Sequence, residues 1–259
     1  VSSPRAAARE PLRVVVVGAG GKMGRMACAA LEGADDVELV ARAGRGDDAA
    51  ALARESAAHV AVDLSVPSAS PGVVAGLVAA GVHVVVGTSG WDEAALGRLR
   101  AQLDQAPEGT GAVVVPNFAI GAVLMTRFAE QAARWFTSVE VVEAHHPAKV
   151  DAPSGTAVRT AELVAAARAA AGVAAAPDAT SSSLPGARGA DVGGVPVHSL
   201  RVAGVMAAQE VWLGNHGEVL TLRHDATDRT AYAPGLLLAV REVTGRPGLT
   251  VGLEHLLGV

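Results

Sequence analysis

Val14-Val15-Val16-Val17-Gly18-Ala19-Gly20-Gly21-Lys22-Met23-Gly24 runs from a valine strand into a glycine turn, and Met26, Ala27, Ala30 and Leu31 continue it as an amphipathic helix. Four consecutive valines suit a parallel strand buried on both faces. A strand, a glycine turn and a helix in that order form a site for nucleotide phosphate. Glycine lets the backbone approach a pyrophosphate, and the helix N-terminus faces its charge. Gly18, Gly20, Gly21, Lys22, Met23 and Gly24 are therefore candidate cofactor contacts. Their spacing is G-x-x-G-x-x-G rather than the usual G-x-G-x-x-G. Since glycine turns also join strands to helices without binding anything, this stretch points to an architecture before it points to an activity.

Outward from it the same grammar repeats. Strands are expected over residues 37–41, 60–65, 82–86 and 112–115, with helices over 49–57, 72–80 and 91–103 between them. Regular alternation of this kind predicts an α/β fold with a doubly wound parallel sheet. Ligands of such sheets bind beyond the carboxyl ends of the strands. Ser65, Gly87, Thr88, Pro116, Asn117 and Phe118 lie at those ends and join the glycine turn as candidate cofactor contacts. The second strand ends in Arg42-Ala43-Gly44-Arg45, with the first acids at Asp47 and Asp48. An NAD site places an acid near here for the ribose hydroxyls. Two guanidinium groups instead suit a 2′-phosphate, so Arg42 and Arg45 predict NADPH as the preferred cofactor, with NADH the alternative.

After a helix over 120–135 the pattern changes. A strand over 137–145 leads to a long helix ending near residue 171, and an irregular Pro/Gly/Ser segment covers 172–196. Three strands over 198–202, 209–213 and 218–224 then follow with no helix between them. This predicts an α+β domain with an open, mixed and largely antiparallel sheet, whose second face holds enough apolar surface for subunit pairing. A helix over 228–243 returns to the first domain. The expected organisation is an N-terminal extension over 1–12, a dinucleotide-binding domain over 13–118 and 229–259, and a substrate and oligomerisation domain over 119–228.

Between that strand and the long helix stands Glu143-Ala144-His145-His146-Pro147-Ala148-Lys149-Val150-Asp151-Ala152-Pro153-Ser154-Gly155-Thr156-Ala157. Two imidazoles and an ammonium leave a strand end, and a Ser-Gly-Thr turn opens a helix whose free N–H groups suit an anion. Lys22 and Lys149 are the only lysines in a chain with 21 Lys and Arg. Lys149 therefore looks selected for a compact charge against a small carboxylate. On the residues alone, a solvated loop remains open. A metal site is not expected, because adjacent histidines without cysteine or a spaced third ligand match no zinc pattern.

This stretch closely resembles the signature of the 4-hydroxy-tetrahydrodipicolinate reductase (formerly dihydrodipicolinate reductase) family, E-x-H-H-x-x-K-x-D-x-P-S-G-T-A, at every fixed position. Gly18 to Gly24 is similar to its G-x-x-G-x-M-G turn, Gly87-Thr88-Ser89-Gly90 to its G-T-T-G, and Pro116-Asn117-Phe118 to its P-N-F. Asp63-Leu64-Ser65 departs from it, standing where an aromatic residue and threonine often follow the aspartate. Ser183 to Asp191 looks like the actinobacterial branch. The resemblance spans residues 12–259. It implies a Rossmann-type cofactor domain and NAD(P)H-dependent reduction of a cyclic, unsaturated dicarboxylate in lysine and diaminopimelate synthesis. It also implies a homotetramer. On that reading His145 is the general acid and Lys149 holds a carboxylate and stabilises developing charge. His146 positions substrate, Ser154, Gly155 and Thr156 bind the second carboxylate, and Asp151 orients the loop. Arg188 either reaches an active site across subunits or lies in a solvated loop. Two other functions fit parts of the pattern: an amino-acid or sugar dehydrogenase sharing the cofactor domain, and a non-catalytic NADP(H) sensor, which would need no proton donor.

Composition narrows the field further. The 259 residues are 50% hydrophobic and 18% charged, enough apolar content for full cores and too little charge for disorder. A net charge of −5 offers no basic patch for nucleic acid. One cysteine, Cys28, excludes a disulfide framework and fits a reducing cytoplasm. The most apolar stretch, 72–87, is broken by His83, Gly76 and Gly81, so no membrane span is expected.

Overall fold

The computed structural model describes residues 10–259. Of the expected extension over 1–12, residues 1–9 lie outside the described residues, and Leu12 already belongs to the first strand. The chain forms two compact units. One runs to Phe118 and resumes over Tyr232–Gly258, and the other is Ala119–Ala231.

The first unit alternates β1 (Leu12–Val17), α1 (Lys22–Glu32), β2 (Val37–Ala43), α2 (Ala49–Glu55), β3 (Val60–Asp63), α3 (Ser70–Ala79), β4 (His83–Val86), α4 (Glu93–Leu103) and β5 (Gly111–Val114). The second contains α5 (Ile120–Ala133), β6 (Ser138–His145), α6 (Gly155–Ala170), β7 (Ala190–Val192), β8 (Val195–Arg201), β9 (Ala207–Asn215) and β10 (Glu218–Ala226). The chain then completes the first unit with α7 (Ala233–Glu242), β11 (Gly248–Val251) and α8 (Glu254–Leu257).

All six strands of the first sheet are parallel, in the order β11-β5-β4-β3-β1-β2. Val14, Val15 and Val16 are wholly buried, as are Val60 and Val62 on β3 and Val84 and Val85 on β4. Val15 and Val17 pack with Ala53, Leu77 and Leu99, so α2, α3 and α4 cover one face, while α1 and α7 pack together. Two glycines make the first turn possible. Gly18 has φ +78°, and a Cβ there would lie 2.4 Å from Leu64 O. A Cβ on Gly24 would lie 2.1 Å from Gly18 O, so only glycine lets α1 start this close to the turn.

The sequence expectations missed one strand of this sheet. β11 pairs with β5 at its edge, but four residues opening on a glycine carry too little pattern to stand out. The expected helix over 228–243 is also divided. A 3-10 turn, Arg229–Tyr232, precedes α7, whose first turn contains Pro234. Proline at that position has a preset φ and no N–H to waste, so the α-helix begins there. The chain accordingly re-enters the first unit at Tyr232 rather than at 229.

In the second unit the order is β10-β9-β6-β8-β7, antiparallel except for β6 beside β8, which α6 connects as a crossover. The segment expected to be irregular to 196 contains β7 and the start of β8, joined at Gly193 and Gly194, with φ of +63° and +85°. A two-residue turn with both φ positive suits a tight hairpin, which glycine spacing conceals inside a loop-like composition. Val139, Val141, Val211 and Leu213 alternate inward onto Ala129, Ala157, Ala161 and Val164 of α5 and α6. The other face carries Leu200, Trp212 and Val219, all exposed.

Candidate active site

In the first unit the parallel strands bring Gly18–Gly24, Ser65, Gly87, Thr88 and Pro116–Phe118 to the same edge of the sheet. The strand order reverses at β1, between β2 and β3, which is where such sheets open a crevice. The backbone closes the turn itself: Gly18 N–H donates to Ala43 O at 2.9 Å and Gly21 N–H to Gly18 O at 3.0 Å. α1 has no side-chain cap and no acidic residue in its first turn, whereas α2 and α4 are capped by Asp48 and Asp92. None of the described residues lies within 4 Å of a Cβ built on Gly20. Uncapped amides at a helix start beside open space fit a phosphate.

Behind this edge, Asp63 is fully buried. Its carboxylate accepts from Ser65 N–H at 3.1 Å and from the Ser70 hydroxyl, which in turn accepts from Trp91 Nε1 at 3.1 Å. Thr88 Oγ1 donates to Asp63 O at 3.3 Å. The aspartate thus sets the loops after β3 and β4 together. Ser65 Oγ is buried and has no partner among the described residues, so the substitution of serine leaves a donor that a ligand could use. The Phe118 ring packs against Gly87, where a Cβ would approach it to 2.5 Å.

Near the end of β2, Arg42 pairs with Glu32, and both line a shallow groove with Gly20, Arg25, Cys28 and Gly44. Arg45 is exposed. The two nearest acids are occupied: Asp47 accepts from Gly44 N–H at 2.7 Å, and Asp48 caps α2 through Ala50 and Ala51 N–H at 3.0 Å. Glu38 binds Arg13 at 2.9 Å. These residues fit a dinucleotide, with the glycine turn and α1 placed for its pyrophosphate.

In the second unit β6 delivers Glu143 and His145 on one side of the strand, two residues apart. Glu143 is fully buried. Its Oε2 lies 2.6 Å from His145 Nδ1, Arg201 grips both carboxylate oxygens at 3.0 Å, and Ser154 N–H donates to Oε1 at 3.2 Å. Burial pushes the Glu143 carboxyl up, but hydrogen bonds from Arg201, Ser199 and His145 outweigh it and hold the group below the ordinary range. For His145, burial is the main effect and lowers the pKa. The Glu143 hydrogen bond and charge oppose it, and the charges of Lys149 and Arg201 add to the lowering.

Lys149 Nζ donates to Asp151 Oδ1 at 2.6 Å, and this bond, more than any other effect, lowers the Asp151 pKa. Arg201 also donates to Asp151 O at 2.6 Å. Ser154 caps α6, its hydroxyl oxygen accepting from Ala157 N–H at 3.2 Å. Gly155 is exposed, while His146 and Thr156 are half-buried. So His145, Lys149 and the α6 N-terminus gather at one corner of the sheet. Arg188 does not join them, being bound to Glu140 and, at 3.1 Å, to Asp178. Among the described residues no group of three His, Cys, Asp or Glu could hold a metal ion, and no helix is long and apolar enough to cross a membrane.

Sequence reading gave Glu143 no role and missed Arg201 altogether. Arg201 faces His145 only because β6 and β8 pair in parallel with that register, and nothing in 55 intervening residues announces it.

Comparison with known proteins agrees with this geometry. Residues 12–118 match the family described as dihydrodipicolinate reductase, N-terminus, and residues 121–257 its C-terminus. The 4-hydroxy-tetrahydrodipicolinate reductases of Nocardia farcinica and Streptomyces coelicolor are 57% and 56% identical over 246 residues, covering 95% of this chain and 98% of each relative. A dipicolinate-bound dihydrodipicolinate reductase from Paenisporosarcina sp. TG-14 superposes with a TM-score of 0.83 at 31% identity, covering 95% of this chain and 99% of that one. With its parallel nucleotide-binding sheet, its mixed second sheet and these relatives along nearly its whole length, the chain belongs to the dihydrodipicolinate reductase family.

Proposed function

We propose that His145 is the proton donor in the reaction this chain catalyses, the NAD(P)H-dependent reduction of 4-hydroxy-tetrahydrodipicolinate to tetrahydrodipicolinate in lysine and diaminopimelate biosynthesis. The observation that carries this is the meeting of a carboxylate-held imidazole, an ammonium and a capped helix start at one corner. Loss of the 4-hydroxyl as water leaves the conjugated dihydrodipicolinate, to which the reduced nicotinamide, when bound, would supply a hydride at a ring carbon. His145 then protonates the conjugated system from Nε2, because Nδ1 is engaged by Glu143. Lys149 holds one carboxylate and offsets developing negative charge, while Asp151 keeps the ammonium from swinging away. The hydroxyls of Ser154 and Thr156 and the N–H groups of Gly155 and Thr156 receive the second carboxylate, and His146 flanks the ring.

The proton donor must be charged to act, and burial has lowered its pKa. Activity of the free enzyme, read as kcat/KM, therefore falls as pH rises through a value below the ordinary histidine pKa of about 6.5. In the cofactor unit the uncapped start of α1 supports pyrophosphate binding, and Ser65, Gly87, Thr88, Pro116, Asn117 and Phe118 border the nicotinamide end. Arg42 and Arg45, with Asp47 and Asp48 occupied elsewhere, support NADPH over NADH.

Exposed Leu200, Trp212 and Val219 on the uncovered sheet face support a homotetramer. A stable monomer at micromolar concentration in light scattering would refute it. The single buried cysteine and a biosynthetic role support a cytoplasmic location. Turnover of the cyclic dicarboxylate by the purified chain with NADPH is the direct test of the function. Cofactor binding without turnover would favour a sensor.

A further inference from the structure

Resting on the reaction above, we propose that Glu143 and Arg201 are positioning residues for His145, fixing the imidazole with Nδ1–H on the carboxylate and Nε2 as the nitrogen that delivers the proton. A carboxylate with no exposed surface is costly unless its oxygens are satisfied. Arg201 and Ser154 N–H already supply three donors. Yet Oε2 also takes His145 Nδ1 at 2.6 Å, so the buried charge is aimed at the imidazole as well as at its own partners. A histidine's reactive nitrogen is set by the hydrogen bond its other nitrogen makes.

The charges facing His145 make this contact matter. Lys149 on the loop and Arg201 on β8 both oppose protonation of the ring, and among the described residues Glu143 on β6 is the group that favours it. Arg201 also keeps the geometry. Its fork fixes the plane of the carboxylate, and a further contact, to Asp151 O at 2.6 Å, ties down the residue whose side chain holds Lys149. One arginine thereby sets the spacing between proton donor and ammonium.

In the step itself the Nε2–H bond breaks and its proton takes up the electron pair left on the substrate by hydride addition. Nδ1–H stays on the ring, Glu143 stays ionised, and solvent later returns a proton to Nε2.

The test pairs Glu143→Gln kinetics with ¹⁵N NMR of His145 in the unaltered protein. Glu143→Gln is expected to lower kcat by about 10²-fold, the scale of a misplaced catalytic group, with NADPH affinity unchanged. Losing the charge that favours the imidazolium moves the alkaline fall of kcat/KM to lower pH by about one unit or more. Arg201→Lys, which keeps the charge but loses the fork, is expected to lower kcat more than it raises KM. The NMR spectrum of neutral His145 is expected to show the proton on Nδ1. A proton on Nε2, or a kcat/KM midpoint that does not move in Glu143→Gln, would overturn the proposal. The NMR measurement decides alone should the variant fail to fold. If His145→Ala is inactive while the Glu143→Gln midpoint stays fixed, only this inference fails. Normal turnover by His145→Ala would instead remove the proton-donor role on which it rests.

Discussion

The glycine turn after β1 and the corner at the end of β6 are built in opposite ways. Between Gly18 and Gly24 the protein removes side chains, which leaves backbone amides open, and α1 begins without a cap. At the end of β6 it adds side chains and ties them to one another, with a buried carboxylate at the centre and a capped helix beside it. The first site is made by what is absent and the second by what is locked. A phosphate needs a cradle of fixed dipoles, which backbone supplies. A proton donor needs one nitrogen held in one direction, which backbone cannot supply.

The contrast is broken most severely at the locked side. His145→Ala and Lys149→Ala are each expected to lower kcat by roughly 10²–10⁴-fold, the usual cost of losing a general acid or a charge stabiliser. Fluorescence titration with NADPH should give a nearly unchanged Kd, since both residues belong to the second unit. Near-normal kcat in both would mean that the reacting groups lie elsewhere.

At the open side the damage takes another form. Gly24→Ala is expected to lose cofactor affinity and to cost about 1–3 kcal/mol of stability, because a methyl group cannot share space with Gly18 O and Ala19 Cα. Thermal unfolding with and without NADPH separates the two effects. A variant with unchanged Tm and Kd would show that the turn yields more easily than its contacts suggest.

Thr156→Val sharpens the comparison within the second unit. On the proposed role of the turn, it removes a hydroxyl donor for a carboxylate but no proton-transfer group. KM for the dicarboxylate is expected to rise about tenfold, from loss of one hydrogen bond to a charged acceptor, with kcat changed less. Weakened cofactor binding with an unchanged KM would reassign the Ser-Gly-Thr turn to the other ligand.

The same contrast explains what the sequence disclosed. Contiguous features were readable: Val14 to Gly24 is one strand, turn and helix, and His145 to Thr156 is one loop and cap. Arg201 was not, because its meaning depends on a strand register formed across a long crossover. Glu143 was visible, but its role depends on that same arginine. β11 escaped because a short edge strand after a helix needs little periodicity of its own once β5 offers an edge to pair with. The division of the last helix was marked only by Pro234, which reads equally as a kink or a start.

The smallest effect concerns cofactor choice, where the cradle must discriminate as well as bind. Arg42, near the end of β2, and Arg45, just past it, are not equivalent. Arg42 is engaged with Glu32, each side chain about half exposed, whereas Arg45 makes no ion pair among the described residues. A solvent-exposed ion pair contributes at most about 1 kcal/mol. The Glu32 pairing therefore tempers Arg42 without disabling it, and a doubly charged 2′-phosphate competes well for the guanidinium. The chain is expected to use NADPH with higher kcat/KM than NADH. Arg45→Ala should narrow that ratio by a few-fold, and Arg42→Ala by less, because it also frees Glu32 to approach the ribose hydroxyls and assist NADH. Glu32→Gln is the sharper probe. It releases Arg42, removes that acid, and should widen the ratio in favour of NADPH. Measuring all four proteins at one ionic strength matters, since exposed charges are screened within about 10 Å at 0.1 M salt. Equal or greater efficiency with NADH in the unaltered chain would mean that the arginines face solvent and that the open cradle selects by its backbone alone.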